Sequence, residues 1–413
     1  MHAPSADSDL LSLGQRYWLP VYRPRQLVLD RGKGSRLWDT QGREYIDFGA
    51  GIAVNALGHQ DPDLMAALTE QAGKLWHASN VFYTAPPLKL AQALVEASAF
   101  AERVFLCNSG TEANEAAIKL VRKWASAQGR SADKRVIVTF RGSFHGRSMA
   151  AVTATAQPKY QEGYEPLPGG FRYVDFNDEA ALADAMASGD VAAVMLEPVQ
   201  GEGGVVPAKD GFLKAVRALC DQHEALLVLD EIQCGMGRTG HLFAHTHDGV
   251  TPDIVTLAKA LGCGLPIGAM LAGPRVAEVM GFGAHGTTFG GNPLVTAVAG
   301  AGLAKIASPA IAANVQRQAK VLRDKLQALG DKHGGLFSQV RGRGLMLGAV
   351  LAERHAGKAG AMLDIAAANG LLVLQAGPDV LRLVPALNIS DEECAEGLKR
   401  LDATLAQFVA ESA

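Results

Sequence analysis

The sequence predicts an α/β fold: a mostly parallel central sheet with helices on both faces, together with a smaller α+β domain. Three observations carry this. From Arg103 onward a strand, turn, helix pattern repeats, the alternation that builds parallel sheets through crossover helices. The runs at 225–229 and 254–257 are apolar without interruption and of strand length, as expected of strands covered on both faces. Beyond residue 329 short strand-like runs mix with helical ones, which marks a second structural unit.

In chain order, the aromatic stretch through Tyr17, Trp18 and Tyr22 has no period and reads as an ordered arm. Residues 36–39 and 44–48 flank Thr40-Gln41-Gly42 and predict a β-hairpin. Asp61 and Pro62 are N-cap and first residue of a helix to about Gly73, and 86–97 is a second amphipathic helix. Residues 104–107 form a strand, 108–111 a turn, and 112–127 a helix with Ala113, Ala116, Leu120 and Trp124 on one face and Gly129 as its stop. Further strands are expected at 135–140, 191–197, 225–230, 254–257 and 268–272, with a helix at 211–223. One helical stretch follows Asn292-Pro293 to about Leu329; then 340–351, 371–374 and 380–383 are strand-like and 360–369 helical. Ser390 and Glu393 make a capping box for the last helix.

The composition excludes several classes of function. With 413 residues, 48% of them hydrophobic, the chain can bury a large core. A net charge of −3 leaves no basic excess for a nucleic-acid partner. No stretch reaches 18 apolar residues, so no membrane span is expected. Residues 1–9 lack a basic start and the apolar patch at 10–13 is too short for a signal peptide. Five scattered cysteines without C-x-x-C fit a reducing cytoplasm better than a disulfide framework. The eleven histidines show no ligand spacing, and no metal is expected.

Chemistry concentrates at the strand ends. Asp230 closes the run at 225–229, where open α/β sheets bind their ligands. Lys259 follows the run at 254–257 among apolar residues, which lowers a lysine's pKa and frees its amine as a nucleophile. Such a pair suits pyridoxal phosphate, the lysine as Schiff-base former and the carboxylate as partner of the pyridine nitrogen. Singly, each reads more readily as an ordinary surface charge. Ser109-Gly110-Thr111 lies where a helix starts, a position that favours an anion or simply a cap. Phe144 and Arg147, in Phe-His-Gly-Arg, supply an aromatic face for a flat heterocycle and a fork for a carboxylate.

Together the strings resemble one family. Asp230-Glu231-Ile232-Gln233, Gly237-Arg238-Thr239-Gly240, Pro252-Asp253-Ile254 and Lys259 resemble the signature of class III (ω-) aminotransferases, as do 108–115 and 144–147, from about Pro20 to the C-terminus. The stretches 51–59, 75–80 and 235–240 look like the acetylornithine/succinylornithine group within it. Asp61-Pro62 departs from the His-Pro of many relatives, and Ile52 stands where ornithine aminotransferases carry tyrosine. The resemblance implies a fold-type-I pyridoxal phosphate enzyme, with residues 1–60 as arm and part of the small domain, 61–308 as the large cofactor-binding domain and 309–413 completing the small one. It implies transfer of the δ-amino group of an N2-acylated ornithine to 2-oxoglutarate.

Residue by residue, the resemblance gives Lys259 and Asp230 the catalytic roles and Ser109, Gly110 and Thr111 the cofactor phosphate. Phe144 and Ile232 take the ring faces, Gln233 the phenolic oxygen, and Thr288 the phosphate of a neighbouring subunit, so a homodimer is implied. Arg147, Thr287, Tyr22 and the pair Glu202–Arg382 are assigned to substrate, while His145 packs beside the ring without a proton-transfer role. Ornithine, 4-aminobutyrate or a succinylated diamine as donor, another reaction on the same fold, and a non-enzymatic regulator stay open as alternatives.

Overall fold

A computed structural model describes residues 6–412; the first five residues, part of the stretch in which no leader is expected, lie outside the described residues. The central sheet has seven strands in the order Arg103–Cys107, Gly268–Ala272, Ile254–Leu257, Leu226–Asp230, Val191–Leu196, Val136–Phe140 and Phe171–Val174. Gly268–Ala272 runs against both neighbours, and the other pairings are parallel.

The pleat divides each central strand between two cores. Leu226 and Val228 face one cluster with Ala116, Leu120 and Trp124 of the helix Gly110–Ala127. Leu227 and Leu229 face the other, with Phe212, Leu213 and Val216 of the helix Phe212–Gln222. Each buried leucine contributes about 1.5–3 kcal/mol. A strand sealed on both faces offers ligands only its end. Because the strands are parallel, the segments that follow Phe140, Leu196, Asp230 and Leu257 all emerge at one edge of the sheet.

Residues from both ends of the chain build the rest. The hairpin Arg36–Asp39/Glu44–Asp47 gains the strand Leu29–Lys33 on one side and Leu371–Leu372, parallel, on the other. A second sheet orders Phe337–Arg343, Met346–Leu351, Val380–Leu383 and Leu374–Gln375. Three arginines tie this sheet and its flanks to segments that follow the central strands Val191–Leu196 and Leu226–Asp230. Arg341 donates to the Gly204 carbonyl at 3.0 and 2.8 Å, Arg343 to Asp248 at 2.8 Å, and buried Arg238 to the carbonyls of Leu345 and Pro385. These ties fix Arg382, on the Val380–Leu383 strand, relative to the central sheet.

Several expectations need correction. The helical stretch after Asn292-Pro293 is two helices, Pro293–Ile306 and Pro309–Lys332, bent by 66°. Pro309 forces Ser308 out of the helical region (ψ 146), and Ser308 caps the second helix instead. The run at 340–351 is a hairpin, turning at Gly344 in a left-handed conformation (φ +54). The run at 371–374 splits, its two halves joining different sheets. The helix Ala6–Tyr17 occupies part of the supposed arm, and the elements Met149–Ala154, Phe171–Val174 and Glu179–Ala187 were not anticipated. The capping box forms, with Glu393 N–H donating to Ser390 Oγ at 3.1 Å and Ser390 N–H to Glu393 Oε2 at 3.0 Å.

Candidate active site

Asp230 is buried at the strand end, with both lone pairs of Oδ2 engaged and one of Oδ1 left free. Its Oδ2 accepts Asn114 Nδ2 and His145 Nδ1, both at 2.7 Å, and its Oδ1 accepts the Ile232 N–H at 3.0 Å. Asn114 reaches it from the helix Gly110–Ala127 and is held by Thr256 Oγ1 at 2.8 Å. Burial alone would lower the His145 pKa, but the bond to Asp230 and the nearby charges of Asp230 and Glu197 reverse this, and the net shift is upward. Glu231 points away, its carboxylate accepting the N–H groups of Ala244 and His245.

Lys259 lies in the left-handed region (φ +44), a conformation lysine seldom adopts and one that clusters at functional sites. Burial lowers its pKa, with Glu202 pulling it up and Arg382 pushing it down. Arg382, 2% exposed, places Nη1 2.6 Å from Glu202 Oε1 and 3.2 Å from Gln233 Oε1. Burial would raise the Glu202 carboxyl, yet Arg382 outweighs it and the net shift is down. Glu197, beyond the strand Val191–Leu196, has no such cation. It accepts N–H bonds from Phe144 at 2.9 Å and Gly201 at 3.0 Å, and burial pushes it up to about 7.

The helix start beside this group is an anion cradle. The N–H groups of Gly110 and Thr111 open the helix and have no helical carbonyl to bond. Ser109 Oγ accepts the Glu112 N–H at 3.3 Å and keeps its own proton to donate. The Thr111 hydroxyl is differently employed. It accepts the N–H groups of Arg147 and Ser148 at 3.2 Å each, and lies 2.8 Å from Ser148 Oγ, whose proton goes to Glu115 at 2.6 Å. That leaves the Thr111 hydroxyl saturated, so what it offers an anion is its N–H. The same pin lays the segment 144–148 over the cradle, and only glycine fits at 146 (φ +138), where a Cβ would come within 2.3 Å of Thr111 Oγ1.

Ile232 closes one side: a Cβ on Gly110 would meet its Cδ1 at 2.9 Å. Thr287 Oγ1 accepts Asn108 Nδ2 and the Gly290 N–H at 3.2 Å each. Thr288 is exposed, and no described hydrogen bond joins it to the cradle of its own chain. Tyr22 is 77% exposed, on a groove formed with residues 10–29, and is not brought to the other residues within this chain. Arg147 is exposed at the rim. Among the described residues no group of three or more His, Cys, Asp or Glu side chains could hold a metal.

The family description "Aminotransferase class-III" matches residues 20–405. The chain is a class III aminotransferase. It is 76% identical to the acetylornithine aminotransferase of Xanthomonas campestris pv. campestris over 407 residues, covering 98% of this chain and 99% of that one. It is 51% identical to the succinylornithine transaminase of Yersinia pseudotuberculosis over 390 residues, covering 93% and 94% of the two chains. Among solved structures it is similar to N-acetylornithine aminotransferase from Stenotrophomonas maltophilia (66% identity, TM-score 0.86, 97% and 100% covered). It is also similar to ornithine aminotransferase from Toxoplasma gondii (33% identity, TM-score 0.94, 99% and 97% covered).

Class III aminotransferases use pyridoxal phosphate, and the residues of this aminotransferase fit it. The open helix start suits a phosphate, the free lone pair on Asp230 Oδ1 a protonated ring nitrogen, and the half-buried Lys259, its pKa lowered, a reactive amine. Three members of the site escaped the sequence reading. Asn114 is a polar residue on the apolar face of its helix, Glu197 a carboxylate closing an all-apolar strand as Asp230 does, and either pattern marks a strand-end site. Tyr160 has no such signal; only the folded chain brings it under Arg147.

Proposed function

We propose that this aminotransferase moves the δ-amino group of N2-acetyl-L-ornithine, and also of N2-succinyl-L-ornithine, to 2-oxoglutarate, giving the N-acyl-glutamate 5-semialdehyde and glutamate. The observation that carries the reading is the unequal state of two arginines: Arg382 is paired with Glu202, while Arg147 has no anionic partner among the described residues. An acyl-ornithine reacting at its δ-amine brings one carboxylate, remote from the reacting carbon, and Arg147 is open to it. 2-Oxoglutarate brings two, and the one beside the keto group needs a cation close to Lys259. Arg382 is that cation, and Glu202 covers it until a dicarboxylate arrives. The acyl group as part of the donor is supported by the likeness to acetylornithine and succinylornithine enzymes.

Bound pyridoxal phosphate supplies an electron sink for the negative charge left on the substrate carbon. When it is bound, Ser109 with the N–H groups of Gly110 and Thr111 would hold its phosphate, Asp230 would keep a proton on its ring nitrogen, Gln233 would meet its phenolic oxygen, and Phe144 and Ile232 would lie against its ring. Lys259 Nζ takes the proton from Cδ of the donor and, in the second half-reaction, places one on C2 of the acceptor. Thr287 borders the substrate, and Tyr22, which lies away from the site of its own chain, reaches substrate only where a second copy brings it there.

Thr288 serves the phosphate of a second copy in a homodimer. Its exposure supports this, together with the exposed apolar side chains Trp76, Val81, Phe82, Tyr83 and Phe289, more than a monomer keeps in water. The division proposed is residues 61–308 as the cofactor-binding domain, 1–60 as the arm and part of the small domain, and 309–413 as the rest of the small domain. Free, buried cysteines are in keeping with a reducing cytoplasm.

Steady-state kcat/KM for acetylornithine, succinylornithine, ornithine and 4-aminobutyrate, each with 2-oxoglutarate and with glutamate quantified, tests the reading. The acyl-ornithines should lead by at least about tenfold, the selectivity of one well-placed polar contact. A lead for free ornithine or 4-aminobutyrate overturns it.

A further inference from the structure

Arg147 meets its substrate from an unusual position for an exposed arginine. Its guanidinium makes no hydrogen bond or ion pair with any described residue, yet its Cζ lies 4.1 Å from the centroid of the Tyr160 ring and 5.7 Å from that of Phe144. Phe144 and Tyr160 pack edge to face with centroids 5.7 Å apart. Lys159 Nζ sits 4.7 Å from the same Tyr160 ring, so that ring carries two cations.

Both ends of this arrangement are fixed. The Arg147 backbone is held by its N–H donating to Thr111 Oγ1 at 3.2 Å. The turn Pro158–Tyr160 is held by the next residue, Gln161, whose Nε2 donates to the carbonyls of Val152 and Thr153 at 3.2 Å and of Thr155 at 2.9 Å. Between these anchors only the arginine stem and head are free, and the ring decides where the head rests.

We infer that Tyr160 is a positioning residue that holds Arg147 ready for the donor's carboxylate by stacking beneath its guanidinium. The inference rests on the reading that Arg147 binds that carboxylate. The chemistry favours an aromatic here over an acid. A carboxylate partner would occupy the N–H edge of the guanidinium, the edge a substrate carboxylate must take bidentately. A ring engages only the flat face, so the head is ordered while its donors stay open. The stack also leaves Arg147 cationic and uncompensated, and the second cation, Lys159, adds to the attraction for an anion at this end of the pocket.

The experiment is calorimetric binding of N2-acetyl-L-norvaline, the donor's carbon chain without its reacting amine, to the holoenzyme. Wild type is compared with Tyr160→Phe, Tyr160→Leu, Arg147→Ala and the double variant Arg147→Ala/Tyr160→Leu. Tyr160→Phe keeps the stack and should bind within about twofold of wild type, while Tyr160→Leu should bind about 3- to 5-fold more weakly, the range of an exposed cation–π contact. In the Arg147→Ala background, Tyr160→Leu should add less than about twofold, because the contact it removes is already gone. Steady-state rates should show the same split, with KM for acetylornithine rising in Tyr160→Leu and kcat nearly unchanged. Equal losses from Tyr160→Leu with and without Arg147, or no loss in Tyr160→Leu while Arg147→Ala is impaired, overturn the inference alone. Unchanged binding in Arg147→Ala overturns the assignment of Arg147 and the inference with it.

Discussion

Arg382 sits on an inner strand, 2% exposed, with Glu202 2.6 Å away and Gln233 behind it. Arg147 sits at the rim, exposed, stacked on Tyr160 and facing no anion. The difference follows from the solvent. A buried guanidinium without a counter-ion costs about 3–5 kcal/mol, so Arg382 must keep Glu202 whenever no substrate carboxylate is present. Water screens Arg147, so it can wait unpaired, and an aromatic suffices to order it. The carboxylates show the same contrast. Glu202, beside Arg382, is held below the ordinary range, whereas Glu197, without an arginine, is pushed up to about 7. Burial sets the cost in each case, and the partner decides whether the charge survives.

If recognition lives in the two arginines and chemistry in Lys259, the two separate on mutation. Lys259→Ala should lower turnover by at least the roughly 10²–10⁴-fold of positioned acid–base catalysis. Binding of N2-acetyl-L-norvaline, measured by calorimetry, should stay within about threefold of wild type, since Arg147 is untouched. A collapse of binding alongside turnover would merge the two functions that the comparison keeps apart.

Glu197 sharpens the contrast between paired and unpaired carboxylates. Its folded pKa of about 7 lies above the ordinary 4.5, so between these values the folded chain keeps a proton that the unfolded chain has lost. Its contribution to stability is therefore complete below about pH 4.5 and is lost as pH rises to 7 and beyond, by an amount on the order of 3 kcal/mol. Thermal melting of the apoenzyme from pH 5 to 8 should show a falling Tm whose slope is reduced in Glu197→Gln, the remainder coming from His145, whose pKa is raised as well. The slope is the readout, because glutamine forfeits one of the two N–H bonds and lowers Tm at every pH. An unchanged slope would mean that Glu197 is ionised throughout.

Much of this was legible in the sequence where local chemistry decides. Asp230 and Lys259 announce themselves because an apolar run must end at the sheet edge, and a charge following it lies at the ligand crevice. Ser109 and Ser390 act as caps because a helix start leaves N–H groups that their hydroxyls satisfy. The pairing of Glu202 with Arg382 came only from family resemblance, since 180 residues separate them and nothing local links them. Tyr160 stayed unread, and His145 was placed beside the ring without its bond to Asp230, for the same reason: stacking under Arg147 and bonding to Asp230 are tertiary events. The break at Ser308-Pro309 was legible, but the long helical period on both sides hid it.

The central claim is that Glu202 masks Arg382 for one half-reaction and releases it for the other. Rapid-mixing spectroscopy of single half-reactions on Glu202→Ala holoenzyme tests it most directly. With Arg382 permanently exposed, the rate constant with acetylornithine should fall by about tenfold or more, while that with glutamate should be equal to wild type or higher. Equal losses in both half-reactions would contradict the switch.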